Sequence, residues 1–267
     1  MALWEQLESW ILLWKMGNSF LKCSAEVIFI YQPFWDKMNL VLVMGVVAML
    51  RELSPWLDNT DCDWSSVYQY GVEKTIDVNE TIYSVGQQAS DVYIIKEGRV
   101  RLFHTSSDGR EKALLIMCGG TVIGDSNLHG NYFENAITAS KTTYIKMEAS
   151  LFASIVSGKE DFLPQYTAFL NRKAQTLAIL NLLGAYYDSE TRIRYTMFHL
   201  ANQFGQPSEE GAVKILMQFT QQELADLIGT SRVTVANMIN SFVHQGLIEK
   251  EGRSYIIPSV ENLLPVE

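Results

Sequence analysis

Residues 219–242 read "FTQQELADLIGTSRVTVANMINSF", two helix-length halves hinged at a glycine. Thr220 followed three residues later by Glu223 is a capping box, so a helix starts there and runs through Leu227. Gly229 ends it, because the residue after such a helix turns left-handed. Ser231 caps a second helix with the apolar stripe Val235, Met238, Ile239 and Phe242, stopped by Gly246. Downstream, "LIEKEGRSYIIP" (247–258) reads as a hairpin turning at Glu251-Gly252. Upstream, "ETRIRYTMFHLANQFG" (190–205) carries the helical stripe Ile193, Met197, Leu200 and Phe204, and "PSEEG" (207–211) reads as a loop. Helix, tight turn, helix and hairpin make a winged helix-turn-helix domain over residues 188–267.

The chain has 267 residues, 48% of them hydrophobic, and a formal charge of −9. That charge argues against a bulk polyanion binder, whose affinity comes from many Lys and Arg contacts to phosphate. Residues 230–246 nevertheless contain Arg232 and His244 and no acid. The exposed start of the second helix presents Arg232, Val233, Ala236 and Asn237. Arg bridges guanine O6 and N7, Asn bridges adenine, and Val meets a thymine methyl. Thr220 and Ser231, with nearby backbone amides, suit phosphate without adding net charge. The composition therefore implies a specific reader of duplex DNA with weak nonspecific affinity.

From about residue 70 to 150 the pattern is short runs of β-branched and aromatic residues separated by turns, with "SDGRE" as a strong hairpin signal. The recurring glycines are spaced as turns in an antiparallel roll. No GxxxxGK[ST] element occurs, which disfavours an ATPase. His104 and His129 lack partners at metal-ligand spacing, so a cupin-like enzyme is disfavoured and no metal or cofactor is expected. Cys23, Cys62 and Cys118 are too few and scattered for a disulfide framework, which places the chain in the cytoplasm with free thiols.

Residues 159–187 form one long helix. Phe162, Tyr166, Phe169, Lys173, Thr176, Leu180 and Leu183 alternate by four and three, the period of a helix pairing along one stripe. The stripe turns polar at Lys173 and Thr176. Two readings stand side by side: these residues fix register in a dimer, or they face a ligand held between roll and helix. The first sixty residues are an apolar extension. Its run "MNLVLVMGVVAML" (38–50) is short for a membrane span, and translation from Met44 would leave residues 1–43 unmade.

In this order, with "VYIIKEGRVRLF", "DGREKALL" and "GGTVIGD" in the roll, the chain resembles the CRP/FNR family of bacterial transcription regulators across residues 65–260. The resemblance implies an α+β fold: a cyclic-nucleotide-binding-like β-roll (61–158), a dimerisation helix (159–187), a hinge near Tyr187-Asp188 and the winged helix-turn-helix. It also implies a homodimer on a palindromic operator with half-sites about 34 Å apart, and RNA polymerase as a further partner. Thr220, Gln221, Ser231, Arg232, Val233, Thr234, Ala236 and Asn237 would meet DNA. The family's Arg-Glu-x-x-x-Arg becomes Arg232-Val233-x-x-x-Asn237, which implies an operator richer in A·T at the Asn position.

The effector position of the family falls on Gly124, Asp125, Glu134, Asn135, Lys173, Thr176 and Leu177. The Gly-Glu that holds ribose in cAMP-binding members is Gly124-Asp125 here. The Arg-Ser or Arg-Thr that holds phosphate aligns with Glu134-Asn135, and a glutamate repels phosphate. The adenine-reading pair aligns with Leu177-Ala178. A small-molecule effector other than cAMP is therefore expected, as in the halorespiration regulators, with Lys173 pairing a phenolate or carboxylate. A thiol switch through Cys62 or Cys118 is the rival reading.

Overall fold

The computed structural model describes residues 50–264, apart from 59–62, 126, 129, 209–210, 217–218 and 253. The apolar extension up to residue 49, Cys23, Cys62 and His129 lie outside the described residues. Alternating side chains build two sheets in the first half. One has five strands in the order β1 (Trp56–Leu57), β6 (Glu111–Met117), β5 (Val100–Thr105), β10 (Asn135–Thr138), β3 (Thr81–Tyr83). The other has the order β2 (Val72–Ile76), β11 (Thr142–Glu148), β4 (Asp91–Glu97), β7 (Val122–Ile123). A short pair, β8 (Asn127–Leu128) and β9 (Asn131–Tyr132), lies between β7 and β10 in sequence.

Tyr93, Ile95, Leu102, Leu115, Met117 and Ala136 fill the space between the sheets. The other face of β4, Val92 and Ile94, packs under Trp64, Phe152 and Phe162. Strand β4 is thus buried on both faces, which explains its unbroken apolar run. The β5–β6 hairpin turns at Asp108-Gly109, with Gly109 at φ +83°.

Helices α1 (Ser65–Tyr68) and α2 (Ala149–Gly158) flank the roll, and α3 (Phe162–Tyr186) runs along it. Phe162, Phe169, Lys173, Thr176, Ile179 and Leu183 are buried within the single chain, and Phe169, Tyr166 and Leu180 join the roll core. The stripe seen in the sequence therefore closes on its own roll. On the adjacent face, about 100° round the helix, Leu163, Leu170 and Leu177 are exposed, with Thr167, Ala174, Asn181 and Gly184 completing a second alternation of four and three.

The second half has α4 (Ser189–Phe204), α5 (Gln221–Ile228) and α6 (Arg232–His244). Its sheet has the order β12 (Gly205–Pro207), β13 (Val213–Ile215), β15 (Ser254–Ile257), β14 (Glu249–Glu251). The wing thus belongs to a four-stranded sheet. Strands β12 and β13 flank the stretch read as a loop, and they are too short to carry a periodicity.

Residues 50–58, which the sequence groups with the apolar extension, form a strap across both halves. The His199 Nε2 donates to the Leu50 carbonyl at 2.8 Å, and the Tyr195 hydroxyl donates to that of Leu53. Ser54 donates to Gln203 at 2.6 Å, and Gln203 donates to the Trp56 carbonyl at 3.1 Å. The strap then enters the roll as β1, parallel to β6. The described residues from Leu50 onward form one compact unit.

Candidate nucleic-acid interface and buried ionic cluster

The turn between α5 and α6 is built as its sequence dictates. Thr220 accepts from the Glu223 amide at 3.1 Å while the Glu223 carboxylate accepts from the Thr220 amide at 2.5 Å. Gly229 takes φ +73°, which an L side chain rarely adopts. The Ser231 hydroxyl accepts from the Thr234 amide at 3.0 Å and bonds the Thr234 hydroxyl at 2.9 Å. Val235, Ile239 and Phe242 bury the inner face of α6, holding it against α4 and α5.

That packing leaves Ser231, Arg232, Val233 and Asn237 exposed on one face, with Thr234 and Ala236 half-buried beside them. Val233 is 67% exposed. Thr220 is exposed and Gln221 half-buried at the start of α5. Six of the eight sequence-derived residues, Ser231, Arg232, Val233, Thr234, Ala236 and Asn237, therefore lie on the turn and the first two turns of α6, while Thr220 and Gln221 lie at the other end of α5. A helix N-terminus with free amides beside base-reading side chains suits a phosphate-lined groove.

The second site lies where α3 crosses the roll. Lys173 Nζ donates to Asp125 Oδ1 at 3.0 Å, and the Tyr166 hydroxyl donates to Asp125 Oδ2 at 3.1 Å. The two charged side chains are 10% and 5% exposed. The Tyr83 hydroxyl donates to Glu134 Oε1 at 3.0 Å and accepts from the Gly124 amide at 3.1 Å. Gly124 sits at φ +78°, and a Cβ there would lie 2.9 Å from the Asp91 carbonyl oxygen, so only glycine fits. Burial pushes the Glu134 carboxyl up, opposed by Lys173 and by the Tyr83 hydrogen bond. Burial also raises the Tyr83 and Tyr166 hydroxyls, so both stay protonated donors.

Thr176 is fully buried on the same stripe as Lys173, and its hydroxyl has no hydrogen-bond partner among the described residues. Tyr83 stacks on Tyr132 with ring centroids 4.0 Å apart, walling the cluster on the roll side. Gly124, Asp125, Glu134, Lys173 and Thr176 thus belong to the buried junction of roll and helix. Asn135 points the other way: its side chain accepts from the Val85 amide at 3.0 Å and donates to the Phe103 carbonyl at 3.4 Å. Leu177 faces outward and lines a cleft of about 510 Å³ with Lys112, Arg192 and the end of α5. The sequence does not single out Tyr83 or Tyr166 as site residues. Tyr166 is legible only as a member of the stripe, and nothing local marks Tyr83.

Cys118 is buried, and burial pushes its thiol up to about 12. A thiol so held is a poor nucleophile at neutral pH, which weighs against a redox switch at this residue. Among the described residues no group of three or more His, Cys, Asp or Glu side chains is placed to hold a metal ion. None of the described helices is long and apolar enough to cross a membrane.

Two family models match in the order of the fold: a cyclic nucleotide-binding domain over residues 73–159 and a Crp-like helix-turn-helix domain over 179–265. A CRP-like cAMP-activated global transcriptional regulator from Mycobacterium tuberculosis is 29% identical over 186 residues, covering 68% of this chain and 82% of the relative. A CooA mutant from Carboxydothermus hydrogenoformans superposes with a TM-score of 0.65 at 20% identity, covering 76% of this chain and 90% of that one. OCPA-complexed CprK gives a TM-score of 0.59 at 17% identity, covering 78% and 97%. At these identities the two structures speak for the fold alone.

Proposed function

This chain belongs to the CRP/FNR family of bacterial transcription regulators, and from that premise we propose that it is a homodimeric, effector-gated reader of a palindromic operator. It is a regulator and not an enzyme. The observation that carries the DNA reading is the exposed first turn of α6, with Arg232, Val233 and Asn237 outward over a helix cap that is internally complete. Dimerisation is supported by the exposed leucines of α3, Leu163, Leu170 and Leu177, at the alternating spacing of a helix pair. Two such readers related by a two-fold axis would meet half-sites one helical turn apart, in the cytoplasm, where RNA polymerase acts on the same DNA.

The gate is proposed at the buried cluster of Asp125, Glu134, Lys173 and Thr176. Its support is the orphaned Thr176 hydroxyl beside a buried ion pair, a polar group in need of a partner. An effector there is other than cAMP, because Glu134 stands where a cyclic phosphate would need a cation, and its carboxyl is already held by Tyr83. Lys173 is engaged by Asp125, so an anionic effector would have to displace that carboxylate, whereas a hydrogen-bonding neutral ligand would not. Ligand binding would shift α3 against the roll and bias the hinge at Tyr187-Asp188, a shift between two populated states.

The test is DNA binding by the purified protein to fragments from upstream of its own and neighbouring genes, across a salt series. A footprint with two-fold symmetry, tightened by one class of small molecule, is expected. A footprint without symmetry, or none under any ligand condition, would remove the regulator reading.

A further inference from the structure

We propose that the cleft bounded by β6, α3, α4 and the end of α5 binds a carboxylate carrying a short apolar tail, at a site separate from the gate. None of Asp125, Glu134, Lys173 and Thr176 lines this cleft. It holds about 510 Å³, within the range of small-molecule sites. Its charged lining residues are Lys112 and Arg192, with no acid among them. In a chain of formal charge −9, two cations that share a cleft without a carboxylate leave room for an anion from outside.

Both cations already meet the end of α5. Lys112 of β6 donates to the Leu227 carbonyl, and Arg192 of α4 donates to the Ile228 carbonyl at 2.9 Å. Carbonyls at a helix C-terminus carry about half a unit of negative charge, so most of two full positive charges stays unmet. Arg192 also donates to the Asp188 carbonyl at 3.3 Å and to the Ser189 hydroxyl at 3.2 Å. One N–H on each of its terminal nitrogens is then left for a ligand, beside the free N–H groups of the Lys112 ammonium. Asp226 acts on Lys112 from behind, but its carboxylate is taken by Arg101 at 3.0 Å and Gln222 at 2.7 Å. Desolvation of the ammonium and the Arg192 charge lower Lys112 to about 8. Like charges without a counter-ion produce that repulsion, and a carboxylate between them relieves it.

Much of the remaining lining is apolar. Leu177, Leu180 and Leu183 of α3 and Leu227 and Ile228 of α5 border the same cleft. Leu183 and Leu227 are otherwise buried, which fixes the wall. An inorganic anion would answer the cations but leave this wall in water, and an alcohol would cover the wall but leave the cations unmet. A carboxylate on a chain of several methylenes does both, each buried methylene raising affinity about fourfold. Asn181 lines the cleft as an exposed residue. Leu177 and Asn181 also belong to the outward stripe of α3, so the mouth of the cleft lies along the proposed helix pair.

The experiment titrates sodium octanoate, octanol and acetate into the full-length protein by calorimetry at about pH 7, and into its Arg192→Gln and Asn181→Asp variants. The second variant adds a negative charge to the cleft while keeping the shape of an exposed side chain. Saturable octanoate binding is expected, at least about tenfold tighter than octanol or acetate, and about tenfold weaker in either variant. Octanoate that does not bind, or binds no better than octanol or acetate, overturns the inference. Binding to either folded variant as tight as to the parent overturns it too, because the ligand then sits elsewhere, as at the gate. If Arg192→Gln does not fold, Asn181→Asp alone decides.

Discussion

Lys173 meets two buried acids at the roll–helix junction: it bonds Asp125 at 3.0 Å, and its charge acts on the Glu134 carboxyl. Removing one partner of a buried pair typically costs about 3–5 kcal/mol, whereas replacing both with apolar groups is often neutral. Lys173→Met should therefore lower unfolding stability by about that amount in urea titrations, and Lys173→Met with Asp125→Leu should recover most of it. A double variant that loses the sum of the Lys173→Met and Asp125→Leu losses would mean that the pair carries no charge coupling. Glu134 behaves differently, because burial raises its carboxyl above the ordinary 4.5. The folded state then binds its proton more tightly than the unfolded chain, so stability falls as pH rises from 4.5 through the folded value. Glu134→Gln should gain stability over the parent at pH 7, and the gap should close toward pH 4.5. At the DNA face, Arg232→Ala should abolish specific binding while Asn237→Ala weakens it by about 1–3 kcal/mol at one base position, read from a panel of substituted duplexes.

At the scale of elements, α3 separates what is legible in the sequence from what is hidden. The alternation of Phe162, Tyr166, Phe169, Lys173 and Thr176 correctly marks a buried stripe, but a stripe does not name what covers it. The roll covers it: Tyr166, Phe169 and Leu180 pack into the core between the two sheets. The outward series Leu163, Leu170 and Leu177 has the same spacing and is interrupted by Thr167, Ala174 and Asn181, so it reads more weakly. By contrast, the α5–α6 turn is legible almost residue by residue, since caps and a left-handed glycine are local chemistry. Strand β1 and its parallel pairing with β6 are not legible, because two residues define no periodicity and the partner is distant in sequence. The outward leucines give a direct test. Leu170→Glu with Leu177→Glu should convert a dimer to a monomer in sedimentation velocity, with far-UV circular dichroism unchanged. A dimer that persists would place the interface elsewhere.

Across the whole molecule, the strap joins the two halves through a residue that acid can charge. His199 is buried on α4, and burial lowers its ring to about 4 while the hydrogen bond to the Leu50 carbonyl opposes the shift. A fall from 6.5 to about 4 means that the folded state resists a proton that the unfolded chain accepts. The stabilisation is fully present above pH 6.5 and is lost as pH falls toward 4, in all about 3 kcal/mol. Because His199 and Tyr195 hold the Leu50 and Leu53 carbonyls, the loss should appear first as loosening of the strap. The measurement is urea unfolding between about pH 7 and about pH 4.5 on the parent and on His199→Gln, with hydrogen exchange of residues 50–57 at each pH. The glutamine keeps an uncharged donor, so its variant should start about 1 kcal/mol less stable at neutral pH and follow a flatter pH course. Parallel pH courses would mean that the acid sensitivity arises at other groups. A flat exchange rate in the strap, with the parent still weakening, would separate His199 from the coupling of the two halves.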